Sequence, residues 1–168
     1  MQKISAFLWF DHEAEEAANF YVSVFSTRVG APADGGGTKV LNVSRYGDAM
    51  PDAAGKVMTA SFQLEGQDFT ALNGGPGHPF SDAISLFVNC ETQEEVDDLW
   101  DKLTADGGEP GPCGWLKDKF GLSWQIIPTA LGELLGDPDP EKSQRAMKAM
   151  LEMSKIDIEG LKRAYASA

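Results

Sequence analysis

Residues 8–25, LWFDHEAEEAANFYVSVF, and residues 86–103, LFVNCETQEEVDDLWDKL, are two copies of one pattern, and their reading decides the fold. Each begins with a short apolar run, passes a few polar residues, and enters an acidic helix. Each helix carries an aromatic on its inner face, Phe20-Tyr21 in the first copy and Trp100 in the second. Setting residues 8–10 on 86–88, with one extra residue in the second connection, brings Phe20-Tyr21 onto Leu99-Trp100. A spacing near 80 residues exceeds the roughly 20–50 of solenoid repeats. It fits two copies of a small module.

The segments between the copies extend the repeat. Residues 4–10 read as a strand, with Ile4, Ala6, Leu8 and Phe10 on one side and Ser5, Phe7 and Trp9 on the other. Asp11 is the expected N-cap of the first helix, whose inward stripe is Ala14, Ala17 or Ala18, Tyr21 and Phe25. Residues 28–37 are rich in Gly, Pro and Ala and read as loop. Strands are expected over 38–46, 57–64 and 68–72, the last two joined by a Glu65-Gly66-Gln67 hairpin turn. Residues 47–56 form a loop that could order over a pocket. After the Asn73–Pro79 breaker, a strand restarts over 84–88, and Thr92-Gln-Glu-Glu95 is a capping box for the second helix. Residues 109–112, 113–117 and 122–128 complete the second copy, with Asp118 and Lys119 as turn residues. Beyond them lie three short helices over 130–135, 141–154 and from Asp157 onward, with a Met-rich stripe of core or interface character.

The totals narrow the function. A net charge of −12 disfavours nucleic acid and anionic membrane surfaces, which reward clustered Lys and Arg. Two cysteines, Cys90 and Cys113, make no disulfide framework, and the first residues show no leader pattern, so a cytoplasmic protein is expected.

Two successive strand-helix-strand-strand-strand copies resemble the vicinal oxygen chelate superfamily of glyoxalase I, extradiol dioxygenases and bleomycin-resistance proteins. The closer resemblance is to its PhnB-like branch, also called the 3-demethylubiquinone-9 3-methyltransferase-like domain. It is carried by Leu-Trp-Phe-Asp (8–11), Glu-Ala-Ala-Asn-Phe-Tyr (16–21), Ala-Leu-Asn-Gly-Gly-Pro (71–76), Gly-Trp (114–115) and Asp-Lys-Phe-Gly-Leu-Ser-Trp-Gln (118–125). The resemblance implies an α+β fold: two βαβββ modules forming curved mixed sheets around a cleft, plus a C-terminal helical tail, commonly as a homodimer. The boundaries expected are 1–75 and 76–128 for the modules and 129–168 for the tail, packing on the modules or on a dimer partner.

Metal-using members hold a divalent ion on four side chains, and the repeat locates those places at Ser5, Ala83, Asn73 and Gln125. Shifting by one residue gives Ala6, Ile84, Leu72 or Gly74, and Trp124 or Ile126, again without imidazole or carboxylate. Such a donor set cannot grip zinc, nickel or iron, so no metal and no cofactor are expected. His12 at a helix entrance and His78 in the loop between copies read as solvent-facing.

The cleft expected without a metal is lined by Phe7 and Trp9, Asn73, Phe87, and Ser123 with Gln125, with Trp115 closing one end. Aromatic walls with neutral amides suit a small organic molecule. The same aromatics equally well fill an interior, and Trp124 reads as core against a helix. Cys113 is the one candidate nucleophile, with no histidine near it in sequence to activate it. Methyl transfer lacks its usual glycine-rich turn between a strand and a helix: Gly35-Gly-Gly37 precedes a strand, and Gly74-Gly-Pro-Gly77 opens no helix. The reading is therefore a homodimeric small-molecule-binding protein without a metal. A metal-dependent lyase, isomerase or dioxygenase of the same fold, and then a methyltransferase, are the alternatives.

Overall fold

A computed structural model describes residues 2–167. The chain divides into two compact units, the first ending at Pro79 and the second beginning at Phe80. The first runs β1 (Ala6–Phe10), α1 (Ala14–Ser26), β2 (Lys39–Arg45), β3 (Val57–Leu64) and β4 (Gln67–Asn73). The second repeats that order as β5 (Leu86–Cys90), α2 (Gln93–Thr104), β6 (Glu109–Pro110), β7 (Trp115–Lys117) and β8 (Ser123–Pro128), then adds α3 (Thr129–Leu135), α4 (Pro140–Leu151) and α5 (Ile158–Ala166). Each unit holds a four-stranded mixed sheet of the same topology, β1-β4-β3-β2 and β5-β8-β7-β6. The α+β class and the duplicated strand order are those the repeat predicts.

In the first unit, period-2 alternation buries Leu8 and Phe10 and leaves Phe7 and Trp9 on the opposite, open face. The buried face receives α1 through Ala14, Ala17 and Ala18, whose small side chains let the helix lie close to the sheet. Tyr21 then reaches Phe62, with ring centroids 6.1 Å apart, and Phe62 stacks on Phe69 at 5.3 Å. Glu65 and Gly66 form a two-residue hairpin with φ of 52° and 80°, the pair of positive values that matches strand twist.

One expected cap is corrected. Asp11 does not cap α1; the N-cap position is Glu13, whose side chain makes no capping bond. The Ala14 N–H donates instead to Asn73 Oδ1 at 2.8 Å. Parallel pairing sets Phe10 beside Asn73, and Gly74 N–H continues the ladder to Phe10 O, so the end of β4 lies at the start of α1. The acceptor arrives from 59 residues away instead of from the preceding turn.

The second unit caps its own helix. Thr92 accepts from Glu95 N–H, and the Glu95 carboxylate turns back to accept from Glu91 N–H. Val96, Leu99, Trp100 and Leu103 are buried on the inner face of α2, and Trp124 and Ile126 are buried in β8 of the same unit. The turn before β8 is built on Asp118. Its carboxylate accepts from Phe120 N–H, Leu122 N–H and the Trp124 indole, so the buried charge is fully hydrogen-bonded. The three terminal helices enclose a cluster of Ile127, Leu131, Ile156 and Leu161, with Met150 and Met153 packed against it. Leu151, by contrast, faces outward.

Candidate functional site

The residues expected to line one cleft fall into three places. Phe87, Gln125 and Trp115 form a row across the second sheet, because β5 pairs Phe87 with Gln125 and β7 pairs Trp115 with Gln125. All three lie on the face turned away from the buried Leu116, Trp124 and Ile126. Ser123, two residues along β8, shares that face. Phe7 and Trp9 lie on the open face of the first sheet, beside Thr70 and Leu72 of β4. Asn73 sits at the end of that sheet with its amide engaged locally. Oδ1 accepts from Ala14, Nδ2 donates to Val57 O at 3.2 Å, and its carbonyl accepts from the Tyr46 hydroxyl at 2.6 Å.

On the second sheet the open face borders a hollow of about 490 Å³. Trp115, Pro110 and Pro112 supply apolar surface, and Asp82, Glu109, Lys117 and Ser123 supply polar groups. The Ser123 hydroxyl, itself buried, donates to Asp82 Oδ1 at 2.9 Å, and Lys117 Nζ stands 3.5 Å from the same oxygen. The Gln125 amide donates to Ser85 Oγ at 2.9 Å, which fixes the side chain along the strand. Cys113 lies on the rim with a left-handed backbone, φ 58°. Asp82, Lys117 and the two prolines were not among the residues singled out from the sequence. Only the cross-strand register and the loop before β5 bring them to Ser123, and nothing in their spacing signals it.

Trp9 is fixed rather than free to swing. Its indole N–H donates to Gly75 O at 2.9 Å, and the ring lies so close to Gly74 that a Cβ there would meet it at 2.3 Å. The His78 ring packs on it at a centroid distance of 4.4 Å. His12 is exposed at the entrance to α1 beside Asp11. A second hollow of about 700 Å³ in the first unit runs from this entrance to Tyr46, Met50 and Lys56, so the 47–56 loop does border a pocket.

The divalent ion that the resemblance implies does not fit the residues present. Of the four places, Ser5 offers a hydroxyl and Ala83 a methyl group. Asn73 and Gln125 offer neutral amides that already hydrogen-bond within the protein. Among the described residues, no three His, Cys, Asp or Glu side chains converge. Neutral oxygen donors without an ionised or imidazole group bind transition ions poorly.

Comparisons with known proteins bear on the family and the fold. The family model described as 3-demethylubiquinone-9 3-methyltransferase matches residues 2–127. A PhnB protein from Bacillus cereus is 37% identical, with 76% of this chain and 99% of that one aligned at a TM-score of 0.61. A protein from Pseudomonas aeruginosa shares the fold at 19% identity and a TM-score of 0.57, over 76% of this chain and 98% of that one. So does a fosfomycin resistance protein from Listeria monocytogenes, at 12% identity and a TM-score of 0.50, over 76% and 93%. No curated protein matches the chain. The duplicated βαβββ order, the family match over three quarters of the sequence and the Bacillus relative together mean that this chain belongs to the 3-demethylubiquinone-9 3-methyltransferase family, the PhnB-like branch of the vicinal oxygen chelate superfamily.

Proposed function

We propose that the protein binds a small organic molecule, without a metal, on the open face of its second sheet. The observation that carries this reading is the hollow of about 490 Å³ beside Trp115 and Ser123. Its volume falls within the roughly 300–1,000 Å³ of small-molecule sites, and its lining is mainly apolar with a few polar groups. A flat or quinoid ring would stack on Trp115, while Lys117 and the Ser123–Asp82 pair would orient a carbonyl or hydroxyl at its edge. The protein acts as a homodimer in this reading, and the exposed Phe7 and Phe87 are the kind of apolar surface that pairing would cover. No helix among the described residues is long and apolar enough to cross a membrane.

The family's name points to methyl transfer, yet the two strand-to-helix connections do not suit a methyl donor. They are Asp11-His12-Glu13 and Glu91-Thr92, without glycine and with carboxylates where the donor's own carboxylate would approach. The test is a titration of the purified protein with quinones, aromatic antibiotics, dicarbonyl adducts and S-adenosylmethionine, followed by calorimetry and Trp fluorescence. Saturable binding of an aromatic or quinoid compound, weakened about tenfold by Trp115→Ala, is expected, since a lost aromatic contact of about 1.4 kcal/mol is a tenfold change. Binding that ignores Trp115→Ala, a stoichiometric transition metal in the purified protein, or tight binding of S-adenosylmethionine would each overturn the reading.

A further inference from the structure

The loop that walls the hollow, residues 111–114, is held from a part of the chain outside the family match. Cys113 and Gly114 both have left-handed backbones, φ 58° and 83°. Cys113 N–H donates to Met153 O and Gly114 N–H to Ser154 O, each at 2.8 Å. The Ser154 hydroxyl donates to Gly111 O at 2.7 Å. Three bonds thus join the wall to the link between α4 and α5, whereas the family match ends at residue 127.

The link is itself anchored firmly enough to impose a position. Ile156 is fully buried among Ile127, Leu131 and Leu161. Gln93 of α2 clasps the link on both sides, donating to Ile156 O at 3.0 Å and accepting from Ile158 N–H at 2.8 Å. Lys155 Nζ reaches Asp97 of the same helix at 2.8 Å. A Cβ at Gly114 would meet Ile156 Cγ1 at 3.1 Å and Ile127 Cδ1 at 2.6 Å, so wall and link are in close contact.

We propose that residues 153–158 form a strap that sets the position of the hollow's 111–114 wall, with Ser154 as the positioning residue. The three helices of the tail carry the strap, and the hollow they shape belongs to the second module. The consequence for ligand binding rests on the function proposed above; the strap itself does not. Cys113 gives a direct readout because it stands in the wall, while Cys90, fully buried in β5, is an internal reference.

The experiment measures alkylation of the full chain by iodoacetamide, site by site, by peptide mass spectrometry without any ligand. In Ser154→Ala the Cys113 rate should rise about threefold, the change expected for one net hydrogen bond holding the wall closed. The Cys90 rate should stay at its wild-type value, the thermal midpoint should fall by no more than about 3 °C, and Ser154→Thr should restore the Cys113 rate. Gln93→Ala, which frees the strap from α2, should raise the Cys113 rate further. An unchanged Cys113 rate in both Ala variants would overturn the strap, as would Cys90 rising in step with Cys113. A protein that fails every ligand titration but passes this test loses the proposed function and keeps the strap.

Discussion

The two modules share one strand order but solve the same local problems with opposite means. The second module starts its helix with a local capping box, Thr92 and Glu95 within one turn. The first module starts α1 with an amide from the far end of its own sheet, Asn73. The edges differ as well. β2 and β3 are seven and eight residues long and support each other, whereas β6 and β7 have two and three. The short pair is braced by the link between α4 and α5, whose Met153 and Ser154 bond to the loop between the two strands. Short strands bury little and make few ladder bonds, so a module that shortens its sheet needs an outside brace. The comparison teaches that a duplicated fold keeps its topology while its stabilising contacts drift apart.

The largest expected effect tests that brace. Gly114→Ala adds a methyl group against Ile127 and Ile156 at a positive-φ position, whereas Gly66→Ala in the first module's hairpin meets open space. Urea denaturation should show a loss of about 2–5 kcal/mol for Gly114→Ala, against about 1–2 for Gly66→Ala, where only the left-handed backbone is strained. Equal losses would mean that the loop has room for the added methyl group between Ile127 of β8 and Ile156 of the link.

The next contrast concerns the helix starts. Asn73→Ala removes the α1 acceptor and the bond to Val57 together, and should cost about 2 kcal/mol. Thr92→Ala removes a local cap and should cost about 1 kcal/mol. The reverse order in chemical denaturation would show that α1 does not depend on the end of β4.

The smallest effect lies in the tail. The Asp137 carboxyl is held below its usual value of 3.8, first by the Tyr165 hydroxyl and then by the Asp139 N–H. The same bond pushes the Tyr165 hydroxyl above its usual 10.0. A depressed carboxylate stabilises the fold above its unfolded value and loses that contribution as pH falls through the folded one. A raised phenol does so below its unfolded value and loses it as pH rises through the folded one. Tyr165→Phe should therefore lower the urea midpoint slightly near neutral pH, and the gap to wild type should close below pH 3.8. A gap of constant size between pH 7 and pH 2 would show that the bond adds no pH-dependent stability.

Much of the fold was legible because it depends on near neighbours. Alternation placed Leu8 and Phe10 inward, 3.6-residue spacing placed Tyr21 and Trp100 inward, and Asp118 announced a turn. Legibility stopped where an interaction spans the chain. Asp11 has the chemistry of a cap and stands next to the helix, yet Asn73 takes the role because parallel pairing of β1 and β4 brings it there. The row of Phe87, Gln125 and Trp115 was nameable residue by residue, but the hollow beside it needs Asp82, Pro110 and Pro112, which no periodicity marks.

The sequence by itself determined the duplication, the alternating strands and the self-capped second helix, which follow from residue type and from spacing along the chain. Tertiary structure alone decided which amide caps α1, which loop walls the hollow, and that the tail binds that loop through Met153 and Ser154. The reason is physical: a backbone N–H or carbonyl is the same group at every residue, so its partner across the chain is chosen by register and packing, which local sequence does not encode.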